Sequence, residues 1–449
     1  MSIFKAYDIR GLVPEQLDES LALNIGRAFG VFLKKGPIAV GHDMRDTSPG
    51  LTKALITGIQ ETGLGVVKVG LCSTPMLNFS VARLGFAGGI MVTASHNPGG
   101  YNGFKLCREQ GIPISGDTGI LDLESWVQRE ALSFRATEPI GSVSEVDIRE
   151  TYSAFLRTQV KPGPRTLKIA VDGGNGMIGY HEYGFLQSVY PETTGLYLEP
   201  DGSFPNHEAN PLIESNLDDL RKFVLTEKAD IGVAFDGDGD RVVFLDEKGR
   251  TVMADLALAL LASRYLQDHP GSPILYDLRS SRVVPEEIEA NGGKPVISRV
   301  GHAFIKKTLR EVDGILGGEL SGHFYFKDFY FLDSGILGAL KIIELLSNSD
   351  KSLSELTRSL DRYPRTGEIN FKVGDADAVL KTIEGSLEDQ GKTSHLDGFS
   401  FESPNYWFNV RKSNTEPLVR LNLQALNPEV LRERLDWIES LIGGVRSDH

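Results

Sequence analysis

Apolar residues in this chain gather into short runs that end on an acidic residue and give way to helical periodicity, and the pattern recurs. Residues 38–43 (IAVGHD), 167–172 (LKIAVD) and 274–277 (ILYD) each read as a buried strand closed by aspartate, followed by a turn and a helical stretch. Further along each copy, a second short strand runs into a loop of unusual composition: TASHNP at 93–98, DGDGDR at 236–241 and GGELSGH at 317–323. Strands alternating with helices at this spacing predict three tandem α/β units, each a sheet sandwiched by helices. Chemistry is then expected in the loops at the strand ends, where open α/β sheets bind ligands. Three such loops can face one cleft.

After residue 362 the alternation changes. Residues 368–373, 406–410 and 418–423 read as strands, the last two flanking a polar turn, and 429–442 reads as a helix apolar at Val430, Leu431, Leu435, Ile438 and Leu441. A smaller α+β domain is predicted there. Boundaries are expected near Ser142, Glu247 and Arg362, which gives units 1–142, 143–246, 247–361 and 362–449.

Composition narrows the class without naming a function. With 449 residues, 41% hydrophobic and 24% charged, disordered and fibrous classes are excluded. A net charge of -14 repels phosphate backbones and anionic lipid, so nucleic-acid and membrane partners are not expected, although small anions can still bind locally. Cys72 and Cys107 are too few for a disulfide framework and read as reduced thiols. The opening MSIFKAYDIRG lacks an apolar signal core, and the run 256–262 is far short of a membrane span. A soluble, cytoplasmic protein is expected.

The loop ASHNPGGYNGFK at 94–105 could be an ordinary turn, since Asn-Pro and Gly-Gly are turn formers. Its glycine, proline and asparagine residues also fix an exposed Ser95 hydroxyl beside a proton carrier, His96, and a cation, Lys105. That combination suits phosphate. In DGDGDR, carboxylates alternate with glycines, and three ionised carboxylates about 4 Å apart repel by roughly 4 kcal/mol per pair at an effective dielectric of about 20. The array therefore calls for a hard divalent cation such as Mg²⁺. An EF-hand reading fails because Arg241 stands where the turn glycine is required and strands flank the loop. The GxGxxG stretch at 174–179 follows a strand and is trailed by Glu199, as a dinucleotide site would be, but such turns are common in any α/β unit. Glu319, Ser321 and His323 suit hydrogen bonding to vicinal hydroxyls, and Arg411 to Pro417 gathers donors able to cradle a phosphate dianion.

Taken together, TASHNPGGYNGFK, DGDGDR, GGELSGH and RKSNTEP, in that order, resemble the α-D-phosphohexomutase superfamily, most closely its bacterial phosphomannomutase/phosphoglucomutase group. The resemblance runs from KAYDIRG at 5–11 to LVR at 418–420 and includes DGSFPNH at 201–207. It implies three related α/β domains and a TATA-binding-protein-like fourth domain around a central cleft, with no cofactor on the 174–179 glycines. By the same resemblance Ser95 would be a phosphoserine, with Mg²⁺ held by its phosphate oxygen and by Asp236, Asp238 and Asp240. Arg241 would contact the transferring phosphoryl group, and Tyr7, Arg10, His96, Asn97 and Lys105 would surround it. Glu319 and Ser321 would read sugar hydroxyls with His323 nearby, and His302 and Lys306 would come from the third domain. Arg411, Ser413, Asn414, Thr415 and Arg420 would grip the non-reacting phosphate.

The implied reaction is reversible transfer between the 1- and 6-positions of a hexose phosphate through hexose 1,6-bisphosphate, which also serves as activator. Lys105 and His302 are the candidates for the base, with His96 in reserve. Arg279 stands where dual-specificity members usually carry lysine, so the resemblance does not fix how that side of the sugar is held. Asn414 and Thr93 disfavour the alternative of a phosphoglucosamine mutase, and Leu320 fits the mannose/glucose group. A metal-dependent sugar-phosphate phosphatase and a silent sugar-phosphate binder are the rivals from other classes.

Overall fold

In a computed structural model of the chain, residues 2–131, 133–387, 390–413 and 418–447 are described. Those residues form four sheets of six, five, five and six strands. The first three share one plan. In each, the strand that ends in aspartate pairs parallel with two neighbours, and one of these turns back into an antiparallel partner. The strands are Ile38–His42, Gly88–Val92 and Tyr101–Arg108 in the first sheet, and Ile169–Asp172, Ile231–Phe235 and Val242–Asp246 in the second. In the third they are Pro273–Asp277, Leu316–Gly318 and Phe324–Phe326. The three loops of unusual composition are the same connection in each copy, from the parallel strand to its antiparallel neighbour. That repeat sends all three to equivalent sheet ends.

Strand Val143–Glu145 pairs parallel with Val66–Leu71 at the edge of the first sheet, just beyond the Ser142 expected to end that unit. The central strands Gly88–Val92 and Ile231–Phe235 are buried throughout, as expected for sheets covered on both faces. One apolar cluster runs through all three units, with Phe79 of the first, Leu186 and Phe235 of the second and Phe324 and Phe329 of the third. The fourth sheet is antiparallel throughout, with Arg365–Lys372, Tyr406–Lys412 and Leu418–Ala425 at its centre. Helices Ala376–Gly385 and Pro428–Ile442 cover it over a separate core built on Phe399, Phe408, Leu421 and Ile438. Its joint to the third unit is polar: Arg365 Nη1 meets Asp255 Oδ2 at 2.7 Å, and Arg282 donates to the Ser403 carbonyl at 2.7 Å while stacking on Trp407. No helix among the described residues is long and apolar enough to cross a membrane.

Helix Thr74–Leu84 shows how the first two units are joined. Ser73 caps it by accepting from the Met76 N–H, Pro75 fits its first turn, and Gly85 ends it with φ 71°. The Ser73 hydroxyl also donates to Glu182 of the second unit, and the other Glu182 oxygen has no hydrogen-bond partner among the described residues. Burial pushes the Glu182 carboxyl from 4.5 up to about 7. Because its folded pKa is raised, Glu182 contributes stability that is fully present below its unfolded value and lost as the pH rises through about 7. Glu182→Gln keeps an acceptor for Ser73 and carries no charge. Its stability gain over the parent is expected to be small near about pH 5 and to reach on the order of 1–3 kcal/mol near about pH 8. Equal melting temperatures at both pH values would contradict this.

Candidate active site

Ser95 follows the buried strand Gly88–Val92 and is 1% exposed, not open to solvent as its loop composition suggests, because Asp236 of the second unit covers its hydroxyl. It adopts φ 51°, a left-handed conformation rare for a residue with a side chain. Its backbone N–H donates to Thr93 Oγ1 at 2.9 Å, and its hydroxyl is 2.9 Å from Asp236 Oδ2 and 3.2 Å from His96 Nδ1. What over-determines this turn is Arg45, which is 1% exposed. Its guanidinium donates to the carbonyls of Ser95 (3.0 Å), Asn97 (2.6 Å), Pro98 (2.8 Å) and Tyr101 (3.0 Å), while Asp43 takes its Nε at 3.1 Å. Phe204, from the 201–207 segment of the second unit, packs on the same guanidinium with its ring centre 5.0 Å away. Nothing local in the sequence marks Arg45, since one arginine in a strand-to-helix turn carries no sign of four distant carbonyls.

The carboxylate loop comes up from the second sheet against this turn. Asp236 and Asp238 are fully buried and Asp240 is 3% exposed, and the three offer ligand atoms within 4.8 Å of one another. Gly237 allows the approach, since a Cβ there would lie 2.5 Å from the Ser95 carbonyl oxygen. The GxGxxG segment supports this loop from below: Met177 N–H donates to the Gly237 carbonyl at 2.9 Å, and a Cβ on Gly176 would come within 2.8 Å of that same oxygen. The glycines make room for protein backbone.

Charge explains what the loop lacks. Lys105 Nζ is 2.6 Å from both Asp238 Oδ2 and Asp240 Oδ2. Burial works against that ammonium, and the three aspartates overcome it and raise its pKa, so Lys105 stays a cation. Burial would likewise raise the Asp240 carboxyl, but Lys105 and His323 hold it well below its usual range. Asp236 is pushed well above its usual range by burial and by its two neighbours. One lysine therefore neutralises only part of the triad. Asp238 Oδ1 has no hydrogen-bond partner among the described residues, although it is buried. An orphan carboxylate oxygen and an all-oxygen donor set fit a hard divalent cation.

The third loop adds the far wall. His323 Nδ1 lies 2.9 Å from Ser321 Oγ and 3.2 Å from Glu319 Oε1, while its Nε2 is 3.2 Å from Asp240 Oδ1, close enough for an ion pair but poorly aligned for a hydrogen bond. Burial opposes its charge, but Asp240 and Glu319 bring His323 up to about 9. Glu319 also accepts from the Tyr325 hydroxyl and stays ionised. His302, 5.7 Å from Tyr7 ring to ring, goes the other way: burial, then Lys306 and His323, bring it down to about 3, so it is neutral. Lys306 is tied to Asp333 at 2.7 Å. On the first unit, Arg10 pairs with Asp8 and donates to Asn97 Oδ1 at 2.5 Å; on the second, Arg241 Nε is 3.8 Å from Asp236 Oδ2.

Opposite these, Glu368 of the fourth sheet gathers three guanidiniums: Arg411 at 2.8 Å, Arg420 at 3.1 Å and Arg279 of the third unit at 3.7 Å. Burial is overcome by those arginines, and Glu368 is held below its usual pKa. Arg420 Nη2 also reaches Ser413 Oγ at 3.2 Å. Asn414 and Thr415 lie outside the described residues. The sequence marked Glu368 only as part of a strand; its meeting with three arginines depends on how two domains dock.

A site with a held serine, a buried carboxylate triad and cations from all four units belongs to an enzyme that moves phosphoryl groups on a small molecule. Comparison with known proteins agrees. Profiles described as phosphoglucomutase/phosphomannomutase alpha/beta/alpha domains I, II and III match residues 1–131, 150–249 and 254–363, and the C-terminal domain of the same family matches 368–438. The chain is 40% identical to a protein named phosphohexose mutases in Xanthomonas campestris pv. campestris, over 98% of this chain and 99% of the relative. It is 40% identical to a phosphomannomutase of Escherichia coli K12, over 96% and 97%. Among solved structures, a phosphoglucomutase/phosphomannomutase family protein from Burkholderia thailandensis superposes with a TM-score of 0.89 at 32% identity, covering 98% of this chain and 96% of that one. The chain belongs to the phosphoglucomutase/phosphomannomutase family and is an isomerase of the phosphotransferase type.

Proposed function

We propose that this protein interconverts hexose 1-phosphate and hexose 6-phosphate, with mannose, glucose or both as the sugar, through a phosphoserine at Ser95 and a hexose 1,6-bisphosphate intermediate. The observation that carries the reading is the Ser95 hydroxyl, held in a left-handed turn 2.9 Å from a triad aspartate of another unit. Relatives named phosphomannomutase and phosphohexose mutases support the substrate class.

The phosphoryl group on Ser95 Oγ passes to the free hydroxyl of the bound sugar phosphate. The P–O bond to serine breaks, a P–O bond to the sugar forms, the sugar hydroxyl's proton leaves to a base, and Ser95 Oγ leaves as an alkoxide that takes up a proton to become a hydroxyl again. Turnover of the bisphosphate within the cleft then returns its other phosphoryl group to Ser95. Among the three base candidates, Lys105 is held charged by Asp238 and Asp240 and serves better to neutralise the transferring group, together with Arg10 and Arg241. His302, beside Tyr7, is neutral and has a ring nitrogen able to take a proton, so it stays the candidate base on the sugar, but burial leaves it a weak one until a bound phosphate dianion restores its basicity. His96, also kept neutral by burial and then by Arg241 and Arg10, adjoins Ser95 itself. Mg²⁺ held by Asp236, Asp238, Asp240 and a phosphoserine oxygen would add the positive charge that this donor set lacks.

Glu319, Ser321 and His323 make a hydrogen-bonding wall suited to sugar hydroxyls, with Arg279 beside Glu319 and Lys306 reaching it through Asp333, and Asn97 is assigned to the substrate from the side of Arg10. Arg411, Ser413 and Arg420, and from the sequence Asn414 and Thr415, are assigned to the distal phosphate, which must draw the two guanidiniums from Glu368. A coupled assay tests the reading. Mannose 1-phosphate and glucose 1-phosphate are expected to turn over faster with added hexose 1,6-bisphosphate, without net release of inorganic phosphate. Phosphate release that needs no bisphosphate would make the protein a phosphatase instead.

A further inference from the structure

Asp238 is held from outside its own loop. Thr74, the first residue of helix Thr74–Leu84 in the first unit, donates its backbone N–H to the Asp238 carbonyl at 3.0 Å and its hydroxyl to Asp238 Oδ2. Lys105 Nζ takes the same Oδ2 at 2.6 Å. With two donors on Oδ2, the buried Oδ1 is the oxygen left without a hydrogen-bond partner among the described residues. The carboxylate is thereby fixed in rotation, one oxygen committed to the first unit and one turned to the triad.

The anchor is itself braced. Ser73 caps the helix while donating to Glu182 of the second unit, and it packs under the carboxylate loop, where a Cβ on Gly239 would lie 3.5 Å from the Ser73 Cβ. The second unit thus holds the helix start by Glu182, and the helix start holds the second unit's Asp238.

We infer that Thr74 is a positioning residue for the divalent metal, orienting Asp238 so that Oδ1 faces the ion, and that metal binding and the docking of the first two units are coupled through this contact. The inference rests on the reading of Asp236, Asp238 and Asp240 as the metal site. Partners that orient a metal ligand commonly matter to affinity as much as some ligands do. Coupling is reciprocal: if docking of the units strengthens metal binding, metal strengthens the docking by the same factor.

The test is Mn²⁺ binding to the whole protein, followed by calorimetry and by the electron spin resonance of free Mn²⁺, without substrate or turnover. Thr74→Val keeps the side-chain shape and removes the hydroxyl, and is expected to weaken Mn²⁺ by about 10- to 100-fold. Thr74→Ser restores the hydroxyl and is expected to bind within a few-fold of the parent. Thr74→Ala gives the same readout if valine prevents folding. In the parent, saturating Mn²⁺ is expected to raise the melting temperature more than in Thr74→Val. If Asp238→Asn loses Mn²⁺ while Thr74→Val and Thr74→Ala bind as the parent does, the inference is wrong and the metal site stands. If Asp238→Asn binds Mn²⁺ like the parent, the triad reading fails and this inference falls with it.

Discussion

Replacing Ser95 with alanine is expected to lower kcat/KM for hexose-phosphate isomerisation by at least about 10³-fold, roughly 4 kcal/mol of transition-state stabilisation. The loss should be chemical. Arg45 fixes the turn through the backbone carbonyls of Ser95, Asn97, Pro98 and Tyr101, contacts that do not involve the Ser95 side chain. Alanine meets the same left-handed backbone that serine already occupies. The variant should therefore melt close to the parent and still bind hexose 1,6-bisphosphate, while carrying no phosphate at this position. Thr93 is no substitute nucleophile, since its hydroxyl accepts the Ser95 N–H at the base of the turn. Steady-state kinetics with a melting curve decide the matter, and full turnover by Ser95→Ala would falsify the assignment.

Loss of metal should come close behind. Exhaustive chelation is expected to abolish turnover and added Mg²⁺ to restore it, and Asp238→Asn should cost at least about 10²-fold, roughly 3 kcal/mol, even at high Mg²⁺. Asp238 is the carboxylate tied to the first unit, with Thr74 and Lys105 on one oxygen and the other buried without a hydrogen-bond partner among the described residues. Asparagine preserves its shape and removes the charge that offsets Lys105, so ligand geometry survives while attraction for the cation falls. Activity unchanged after chelation, with metal content measured on the same sample, would contradict the account.

Much of the fold was legible because its signals are local. Runs that end on Asp172 and Asp277 announced strands, and the loops between parallel strand and antiparallel partner carry their chemistry in contiguous stretches of sequence. The fourth domain was read in part. Its buried strands around Phe408 and Leu421 stood out, whereas Lys392–Ser394 and Val445–Ser447 are short, exposed edges with no hydrophobic alternation to mark them. Within the site, Ser95 and the triad were found because each lies in a dense motif. Arg45, Thr74 and Glu368 were not, because each acts on partners far away in sequence: Arg45 on the serine loop, Thr74 on Asp238 across a domain joint, Glu368 on arginines of two domains. Lys105 was legible as a cation near phosphate, but its state was not. Asp238 and Asp240 at 2.6 Å, with Asp236 nearby, decide that it is held charged.

The central claim, that Ser95 carries the phosphoryl group between the two positions of the sugar, is tested most directly by following that group. The purified protein is incubated with hexose 1,6-bisphosphate labelled in its phosphates, freed of small molecules, analysed by intact mass and peptide mapping, and then mixed with unlabelled hexose 6-phosphate. The account predicts one phosphoryl group per chain, on Ser95, and its transfer to the sugar at a rate that supports turnover. Label on another residue, or label on Ser95 that stays there while the isomerisation proceeds, would contradict it.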